Sequence, residues 1–506
     1  MSDKWARKKF TLIAVLVISA VCGLTVNTIN LHVADKAQQT VKGITIFSPD
    51  NEYYLDPVEN YLQGLGWRRS PPVGNGSYFR RTPGYSLIYL AARSFLSEPH
   101  ALTAMKMLQF ILFLSSVYCV FKILEDLNAH WLTVFLGALI YGCTPFFSSY
   151  TFFTITEGIS PFLVVFAFYF LVRARKLTNK KQFVYLIIAS FLLGYAVLTR
   201  PYLGLLLPLL PFSMFAMSST YPIGRRIVLM ISTLIFPVAM ILTWAARNYY
   251  VTHEVIFLEK ANHPQSLDRM KPEFTAFWNF TKCWAEDGSK MNSYQLPFYF
   301  AALRGDTSAH YVDNILNHVP DAVKFELGSE PIKAAIKNYQ QVIFSQRVFF
   351  EKQLPMPNEY SESQLHVARQ FNELSQRWRA NHLVQYYIKN PLKYLADITL
   401  HSNTSNLVIF QPPFRETWPI INWVRLGLAV IHVLIYVLLA LGLFFFKGDR
   451  LIYAYFVILP ITFLAFFVFY FQAIEQRYML PVLPLILLGA TMTLERICYS
   501  LIRKLG

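Results

Sequence analysis

The sequence predicts an all-α polytopic membrane protein with about ten transmembrane helices, amphipathic helices at its outer face and a small α-helical extracytoplasmic cap. Three observations predict this class. Hydrophobic residues make up 54% of the 506 residues, and charged residues make up only 15%. The apolar residues cluster in runs of about 20, the length of helix that crosses a bilayer. Lys and Arg gather in alternate segments between these runs, as cytoplasmic loops do.

The apolar runs place ten predicted spans, at residues 10–31, 101–123, 131–149, 158–173, 183–199, 201–218, 227–245, 424–446, 451–472 and 479–494. With the N-terminus in the cytoplasm, the basic clusters at span ends all fall on the cytoplasmic side, so both termini are predicted to be cytoplasmic. This topology also explains the net charge of +16. We therefore expect the lipid bilayer as a partner and no nucleic acid.

The spans divide the chain into five predicted regions. These are the first transmembrane anchor (1–31), extracytoplasmic loop one with surface helices (32–100), transmembrane helices two to seven (101–245), a large extracytoplasmic loop (246–423), and the C-terminal transmembrane helices with a cytoplasmic tail (424–506). Ser361 and Gln364 have the spacing of a helical capping box, which favours a helical cap in the large loop. Catalytic groups are expected in or beside the two outer loops.

Three carboxylates are candidates for acid–base chemistry. Asp50 and Glu52 stand in an acidic run near the predicted water–lipid boundary, where partial desolvation would raise a carboxylate pKa toward the range of a general base. Glu157 begins the fourth apolar run, and an ionisable residue at membrane depth is a functional candidate by default. The alternatives are solvated loop carboxylates and, for Glu157, a helix N-terminal cap.

Five arginines are candidate phosphate ligands, because a guanidinium group binds phosphate in a bidentate manner. All lie in loop one or at predicted outer ends of spans; they are Arg80, Arg81, Arg200, Arg247 and Arg477. Their alternative roles are snorkelling to lipid headgroups, anchoring of helix ends, and a simple ion pair between Glu475 and Arg477.

Six short motifs follow one another along the chain. They are an Asp near the start of loop one, Arg-x-Pro-Gly-Tyr at 81–85, Thr-Glu at 156–157, Leu-Thr-Arg-Pro at 198–201, Trp-x-x-Arg-Asn at 244–248 and Glu-x-Arg-Tyr-x-x-Pro at 475–481. In this order they resemble the GT-C membrane glycosyltransferases. More narrowly, they resemble the bacterial branch related to protein O-mannosyltransferases and the aminoarabinose transferase of lipid A. The matches cover residues 45–260 and 470–490.

The resemblance implies an inverting transfer of a sugar from a polyprenyl-phosphate donor, such as an undecaprenyl-phosphate sugar. It further implies a lipid, glycan or protein acceptor at the extracytoplasmic face of the bacterial inner membrane, where cell-envelope glycans are built. By matching position, Asp50 is the implied general base, Arg81 the donor-phosphate ligand and Glu157 the second acidic residue.

Other residues of the motifs are candidates for substrate binding. Tyr54, Tyr85, Glu475 and Tyr478 lie within or beside the motifs, and we expect them to bind substrate. The protein O-mannosyltransferases place Glu directly after the loop-one Asp, whereas here Asn51 intervenes. The role of Glu52 is therefore open, and Asp56 is another candidate base.

The predicted activity is that of a hexosyl- or pentosyltransferase without a cofactor. Whether Asp50, Glu52 and Glu157 hold a divalent cation is left open, although the matching branch suggests that cationic side chains take the place of a metal. Two other functions fit the sequence: a lipid-linked glycan transporter or flippase, and an O-antigen polymerase- or ligase-type transferase that uses a diphosphate-linked donor. Contact between the candidate residues favours an enzyme; a separation beyond about 20 Å would exclude one shared site.

Overall fold

The fold is that of a computed structural model, which describes residues 2–177, 179–218, 221–260, 262–284, 288–412, 416–445, 449–472 and 476–505. Most of these residues are helical. The helices are α1 (Ser2–Lys36), α2 (Asn51–Leu62), α3 (Gly84–Arg93), α4 (Glu98–Asp126), α5 (Trp131–Cys143), α6 (Pro145–Ser148), α7 (Ser160–Arg175), α8 (Asn179–Thr199), α9 (Leu209–Met217), α10 (Ile223–Ser232), α11 (Ile235–Thr252), α12 (Pro272–Trp284), α13 (Gly288–Leu303), α14 (Ala309–Asn317), α15 (Asp321–Leu327), α16 (Ser329–Glu351), α17 (Glu362–Asn381), α18 (Asn390–Thr399), α19 (Pro419–Phe445), α20 (Arg450–Tyr453), α21 (Leu459–Ala465) and α22 (Leu483–Leu505).

Seven helical segments of the described chain are long and apolar enough to cross a bilayer. They are Lys9–Lys36, Glu98–Asp126, Trp131–Ser148, Thr156–Arg175, Lys180–Thr199, Pro419–Phe445 and Arg450–Phe471. Helices α10 and α11, bent by 41° at their junction, add an eighth if they form one span. The predicted class, an all-α polytopic membrane protein, is confirmed.

The remaining two predicted spans fall on segments that do not meet the same criteria of length and hydropathy. Residues 201–218 form a 3₁₀ turn, Pro201–Leu206, followed by the short helix α9. Prolines at positions 201 and 208 break this run, because proline lacks the backbone N–H that a continuous helix needs. Residues 479–494 fall largely in α22, whose later part carries Glu495 and Arg496 among its polar residues. Of the ten predicted spans, eight therefore meet these criteria in the described chain if α10 and α11 count as one, and these two segments make up the difference.

Loop one begins with a small hairpin that the sequence did not reveal. Strands β1 (Thr40–Val41) and β2 (Thr45–Ile46) pair antiparallel. Ile46 also forms a bridge with Phe153, its backbone N–H donating to the carbonyl oxygen of Phe152 at 2.9 Å. The Thr45 and Thr154 hydroxyls lie 2.9 Å apart. These contacts fix the start of loop one against the segment that precedes α7.

Helix α3 packs against the end of α8 through Gly84. A Cβ at this position would lie 2.5 Å from the carbonyl carbon of Leu198 and 2.6 Å from the backbone nitrogen of Thr199. The Tyr195 hydroxyl donates to the carbonyl oxygen of Gly84 at 2.6 Å. Glycine therefore permits the close approach that brings the chain just before α3 beside the segment after α8.

We expect Gly84→Ala to destabilise the protein, by about 1–3 kcal/mol, because the added methyl meets backbone that cannot rotate away. The matched control is Gly427→Ala in α19, where nothing lies within 4 Å of the added Cβ. Thermal unfolding of the purified variants in detergent measures the difference. Equal midpoints for the two variants would contradict the proposed close packing.

The large loop is helical, as expected. Helices α12 to α17 surround a hydrophobic core of their own that includes Phe277, Tyr339 and Phe371. The predicted capping box is present, since the Ser361 hydroxyl accepts from the Gln364 backbone and the Gln364 side chain accepts from the Ser361 backbone. These helices form the cap.

Candidate active site

Two carboxylates and three arginines from distant parts of the chain meet at the loop-bearing end of the helical bundle. Arg477 Nη1 lies 2.8 Å from Asp50 Oδ2, and Arg81 Nη2 lies 3.6 Å from Asp50 Oδ1. Arg477 Nε lies 3.7 Å from Glu157 Oε1, and Arg200 pairs with the same oxygen. One guanidinium group, that of Arg477, thus contacts both carboxylates.

Local structure explains the position of each acid. Asp50 immediately precedes α2 and follows the hairpin that is bonded to the Phe152–Thr154 segment. Glu157 lies in a 3₁₀ turn, Thr156–Gly158, and its side chain is fully buried. Gln109 of α4 holds the segment just before this turn by donating to the carbonyl oxygens of Thr151 and Phe153 at 2.9 and 3.0 Å. The two acids are therefore held in place by the same stretch of backbone.

Arg200 is the most constrained of the three arginines. Its Nε donates to the Thr156 hydroxyl at 2.6 Å, and its Nη1 donates to the Tyr202 hydroxyl at 3.1 Å. The Arg200 side chain is only 8% exposed, whereas those of Arg477 and Arg81 are 28% and 31% exposed. Arg477 and Arg81 are thus the guanidinium groups that an incoming anion reaches first.

Arg81 has the looser contacts with acids. Its two ion pairs, to Asp50 at 3.6 Å and to Glu259 at 3.8 Å, are longer than a hydrogen bond. Glu259 itself is 28% exposed. A phosphate group that displaced Glu259 would find a guanidinium already positioned beside Asp50, and it would gain a bidentate contact.

Tyrosines surround this ionic cluster. Tyr54 is buried, and its ring lies 5.3 Å from that of Tyr85. The Tyr478 ring lies 5.7 Å from that of Tyr202 and 5.9 Å from the Arg200 guanidinium carbon. Three of the four residues predicted to bind substrate therefore border the charged centre. The fourth, Glu475, lies outside the described residues.

The expected rise in the pKa of Asp50 is not observed. Burial alone would raise that pKa, but the positive charges of Arg477, Arg81 and Arg200 outweigh burial and hold the pKa of Asp50 below its ordinary value. The prediction of a raised pKa was wrong because it considered desolvation without knowing how many arginines surround the carboxylate. Asp50 is ionised at neutral pH, and it is a weak base while these ion pairs last.

Two of the five candidate arginines are engaged elsewhere. Arg80 Nε lies 3.4 Å from Asp268 Oδ2, beside the cap. Arg247 donates to the carbonyl oxygens of Tyr78 and Trp67 at 3.1 and 2.5 Å, which fixes the two ends of a loop-one segment. Among the described ion pairs, neither arginine contacts Asp50 or Glu157. Their side chains hold loop one in shape.

Two candidate acids also lie away from the cluster. Glu52 is exposed on the first turn of α2, and the described ion pairs do not include it. Asp56 accepts a hydrogen bond from the Ser70 backbone at 3.2 Å. Neither residue shares an arginine with Asp50, so Asp50 is the loop-one acid that the structure brings to the centre.

Three residues near the ionic centre were not predicted from the sequence as site residues. Tyr202 follows the Leu-Thr-Arg-Pro motif directly, so its place two residues after Arg200 was a usable signal. Tyr53 lies beneath Arg81, with 5.1 Å between the guanidinium carbon and the ring centroid. Glu259 comes from the large loop, and nothing in its sequence surroundings marks it as a partner of Arg81.

For the sugar transfer that the motif resemblance implies, we expect Glu52→Gln to keep the rate within about twofold of wild type, because an exposed side chain outside the ion network contributes little. Steady-state transfer rates with one fixed donor and acceptor measure this. Asp50→Asn, at the start of the same helix, is the matched variant. A tenfold or larger loss in Glu52→Gln would return Glu52 to the catalytic centre.

Of the three carboxylates named as possible cation ligands, Glu52 lies away from the other two in the described part of the chain. No group of three or more His, Cys, Asp or Glu side chains with metal-binding geometry occurs there. Asp50 and Glu157 instead face guanidinium groups. Cationic side chains therefore stand at the positions where a cation would meet an anionic substrate.

Fold and site together define a polytopic membrane protein with a buried ionic centre at one end of its bundle. No family model and no curated protein matches the chain. Among solved structures, the chain is similar to the archaeal oligosaccharyltransferase AglB from Archaeoglobus fulgidus in complex with an inhibitory peptide and a dolichol-phosphate. The identity is 12% and the TM-score is 0.45, over 98% of this chain and 52% of that chain.

A second similar structure is ArnT from Cupriavidus metallidurans bound to undecaprenyl phosphate, at 14% identity and a TM-score of 0.34, over 98% of this chain and 79% of that one. The chain spans about half the length of AglB, with 52% of it covered. Both TM-scores lie below 0.5, so the function proposed below rests on the residues of the site and on the motifs.

Proposed function

We propose that this protein is an integral-membrane inverting glycosyltransferase. It transfers a hexosyl or pentosyl group from a polyprenyl-phosphate donor to a lipid, glycan or protein acceptor, on the extracytoplasmic face of the membrane. The observation that carries the proposal is the contact of one guanidinium group, that of Arg477, with both Asp50 and Glu157, while Arg81 contacts the other oxygen of Asp50. The motif order and the many apolar helices support it.

The reaction is a single displacement at the anomeric carbon. An acceptor hydroxyl oxygen forms the new bond to that carbon, and the bond from the carbon to the phosphate oxygen breaks with its electron pair going to the phosphate. The hydroxyl proton passes to Asp50. Negative charge grows on the leaving lipid phosphate, and Arg81 and Arg477 stabilise it through charge-assisted hydrogen bonds.

Donor binding supplies the basicity that Asp50 lacks in the free protein. The arginines that hold its pKa down are the same groups that the donor phosphate would engage. When a phosphate neutralises Arg81 or Arg477, less positive charge faces Asp50, so its pKa rises toward the value that burial favours. The acid limb in kcat, which reports the donor complex, is then expected at higher pH than the acid limb in kcat/KM.

Glu157 acts through the arginines. It is fully buried and contacts both Arg200 and Arg477. A carboxylate with no exposed surface is poorly placed to take a proton from an acceptor, and we assign Glu157 as a positioning residue. It keeps the two guanidinium groups close together against their mutual repulsion.

Purified protein incubated with defined polyprenyl-phosphate sugars and a membrane extract of acceptors tests the proposal. Mass spectrometry should detect free polyprenyl phosphate and a glycosylated product. A diphosphate-linked donor that is consumed instead would identify the polymerase- or ligase-type alternative. Movement of an intact lipid-linked glycan across vesicles, without release of the lipid phosphate, would identify a flippase and overturn the proposal.

A further inference from the structure

A groove with several polar side chains runs along the cap between α12 and α17. It consists of two adjoining cavities, of about 460 and 200 Å³, that share Asn279 of α12 and Asn372 of α17 as lining residues. On α12 the lining positions are 272, 275, 276, 279, 282 and 283, and on α17 they are 368, 372, 375 and 379. Both sets follow helical periodicity, so each helix presents one continuous face to the groove. The face on α17 extends for roughly 16 Å at the rise of an α-helix.

One end of the groove adjoins the ionic centre. Lys260 lines the larger cavity, and its backbone N–H donates to the carbonyl oxygen of Phe79 at 3.2 Å. The preceding residue, Glu259, contacts Arg81, which contacts Asp50. Lys260 and its neighbour Glu259 therefore link the groove, through Arg81, to the proposed base.

The other end lies at the end of a transmembrane segment. Tyr470, Phe471 and Gln472 line the smaller cavity, and the candidate span Arg450–Phe471 ends there. Tyr470 is 79% exposed and Phe469 is 59% exposed, as expected of aromatic residues at a membrane–water interface. The groove thus leads from the membrane boundary toward Asp50.

The chemistry of the lining differs between the two ends. The larger cavity is lined by hydrogen-bonding side chains and by small apolar ones. The first group is Asn262, Thr275, Asn279, Tyr360 and Asn372, and the second is Pro264, Pro272, Ala276 and Ala368. Lys282 and Arg379 line the smaller cavity at the membrane boundary, and the described lining residues of both cavities include no carboxylate. Lys260, at the end near the centre, is the third basic lining residue, and it pairs with Glu254 at 3.1 Å. Two of the three basic residues in the described lining, Lys282 and Arg379, therefore lie at the membrane end.

We propose that this groove binds the acceptor, and that the acceptor is a membrane-anchored glycan with a phosphate group next to its lipid chain. Lys282 and Arg379 bind the phosphate at the membrane boundary, Asn279 and Asn372 bind sugar hydroxyls along the groove, and the glycan end reaches Asp50. This assignment rests on the proposed glycosyl transfer, because it concerns the acceptor of that reaction.

Binding to three probes tests the proposal with the full-length protein in nanodiscs of phosphatidylcholine. The probes are a hexadecyl-phosphate-linked glucose trisaccharide, the same glycolipid without phosphate, and the soluble trisaccharide phosphate without the alkyl chain. We expect the first to bind most tightly. Arg379→Gln and Lys282→Gln should each weaken it about tenfold, as expected for a lost charge-assisted contact, without changing the affinity for the second probe. Asn372→Ala should weaken both glycolipids.

Two controls separate misfolding and the chemical step from binding. Arg379→Lys, with its charge kept, should recover part of the affinity lost in Arg379→Gln. Asp50→Asn should bind the first probe as wild type does. If the wild-type protein shows groove-dependent binding but transfers no sugar, the proposed function is overturned and the groove assignment stands. Equal affinity of wild-type protein for the first and second probes, or for the first and third, overturns the groove assignment. Transfer rates that stay at the wild-type level in the groove variants also overturn the groove assignment.

Discussion

Asp50→Asn is expected to lower the transfer rate about a hundred- to ten-thousand-fold, the usual contribution of a positioned general base. The amide keeps the shape of the side chain but takes no proton at neutral pH. Because the acid lies before α2, outside the membrane-spanning helices, the variant should still insert and fold. Initial rates of lipid-phosphate release from a fixed donor measure the effect.

Asp56→Asn is the control for this substitution. Asp56 lies on the same helix, but it accepts its hydrogen bond from the Ser70 backbone and has no part in the ionic centre. Its rate should remain close to wild type. Full activity of Asp50→Asn, or an equal loss in the two variants, would remove Asp50 from the base role.

Arg477→Gln is expected to produce the second-largest loss, about a hundred- to a thousand-fold in kcat, the scale seen when one donor to a developing anion is removed. The Arg477 charge also lowers the pKa of Asp50. Its removal should raise that pKa, and the acid limb of the kcat/KM profile should move to higher pH. Stability that depends on ionised Asp50 is lost as pH falls through its folded pKa, so Arg477→Gln should unfold at a higher pH on acidification.

A pair of variants makes this result specific. Arg477→Lys keeps the charge and should retain the acid limb near its wild-type position, while recovering only part of the rate, because lysine cannot form the bidentate contact. Arg80→Gln removes an arginine that pairs with Asp268 and should leave the acid limb in place. A wild-type pH profile in Arg477→Gln would show that this arginine does not control Asp50.

The sequence predicted the membrane class well because apolar runs of the right length leave few alternatives. It also predicted the residues that now lie together, Asp50, Glu157, Arg81, Arg200 and Arg477, because each stands in a short motif, either in loop one or at a predicted outer end of a span. Charge alone does not distinguish Arg80 from Arg81 in the sequence. The two are neighbours along the chain, yet one pairs with Asp268 and the other with Asp50.

Other features had no sequence signal. The hairpin of Thr40–Val41 and Thr45–Ile46 is too short for a strand pattern to be read. The partnership of Glu259 with Arg81 depends on how the large loop returns to loop one. The lowered pKa of Asp50 depends on the number of arginines around it, and that number is a property of the folded chain alone.

The central claim is a direct displacement in which Asp50 takes the acceptor proton and a lipid phosphate leaves. Its most direct test is the anomeric configuration of the transferred sugar, measured by proton NMR on product made from a polyprenyl-phosphate sugar of known configuration. A single displacement predicts a product of opposite configuration to the donor. A product with the donor's configuration would require a double displacement or attack from the face that the phosphate leaves, and it would contradict the assignment of Asp50 as the base of a single displacement.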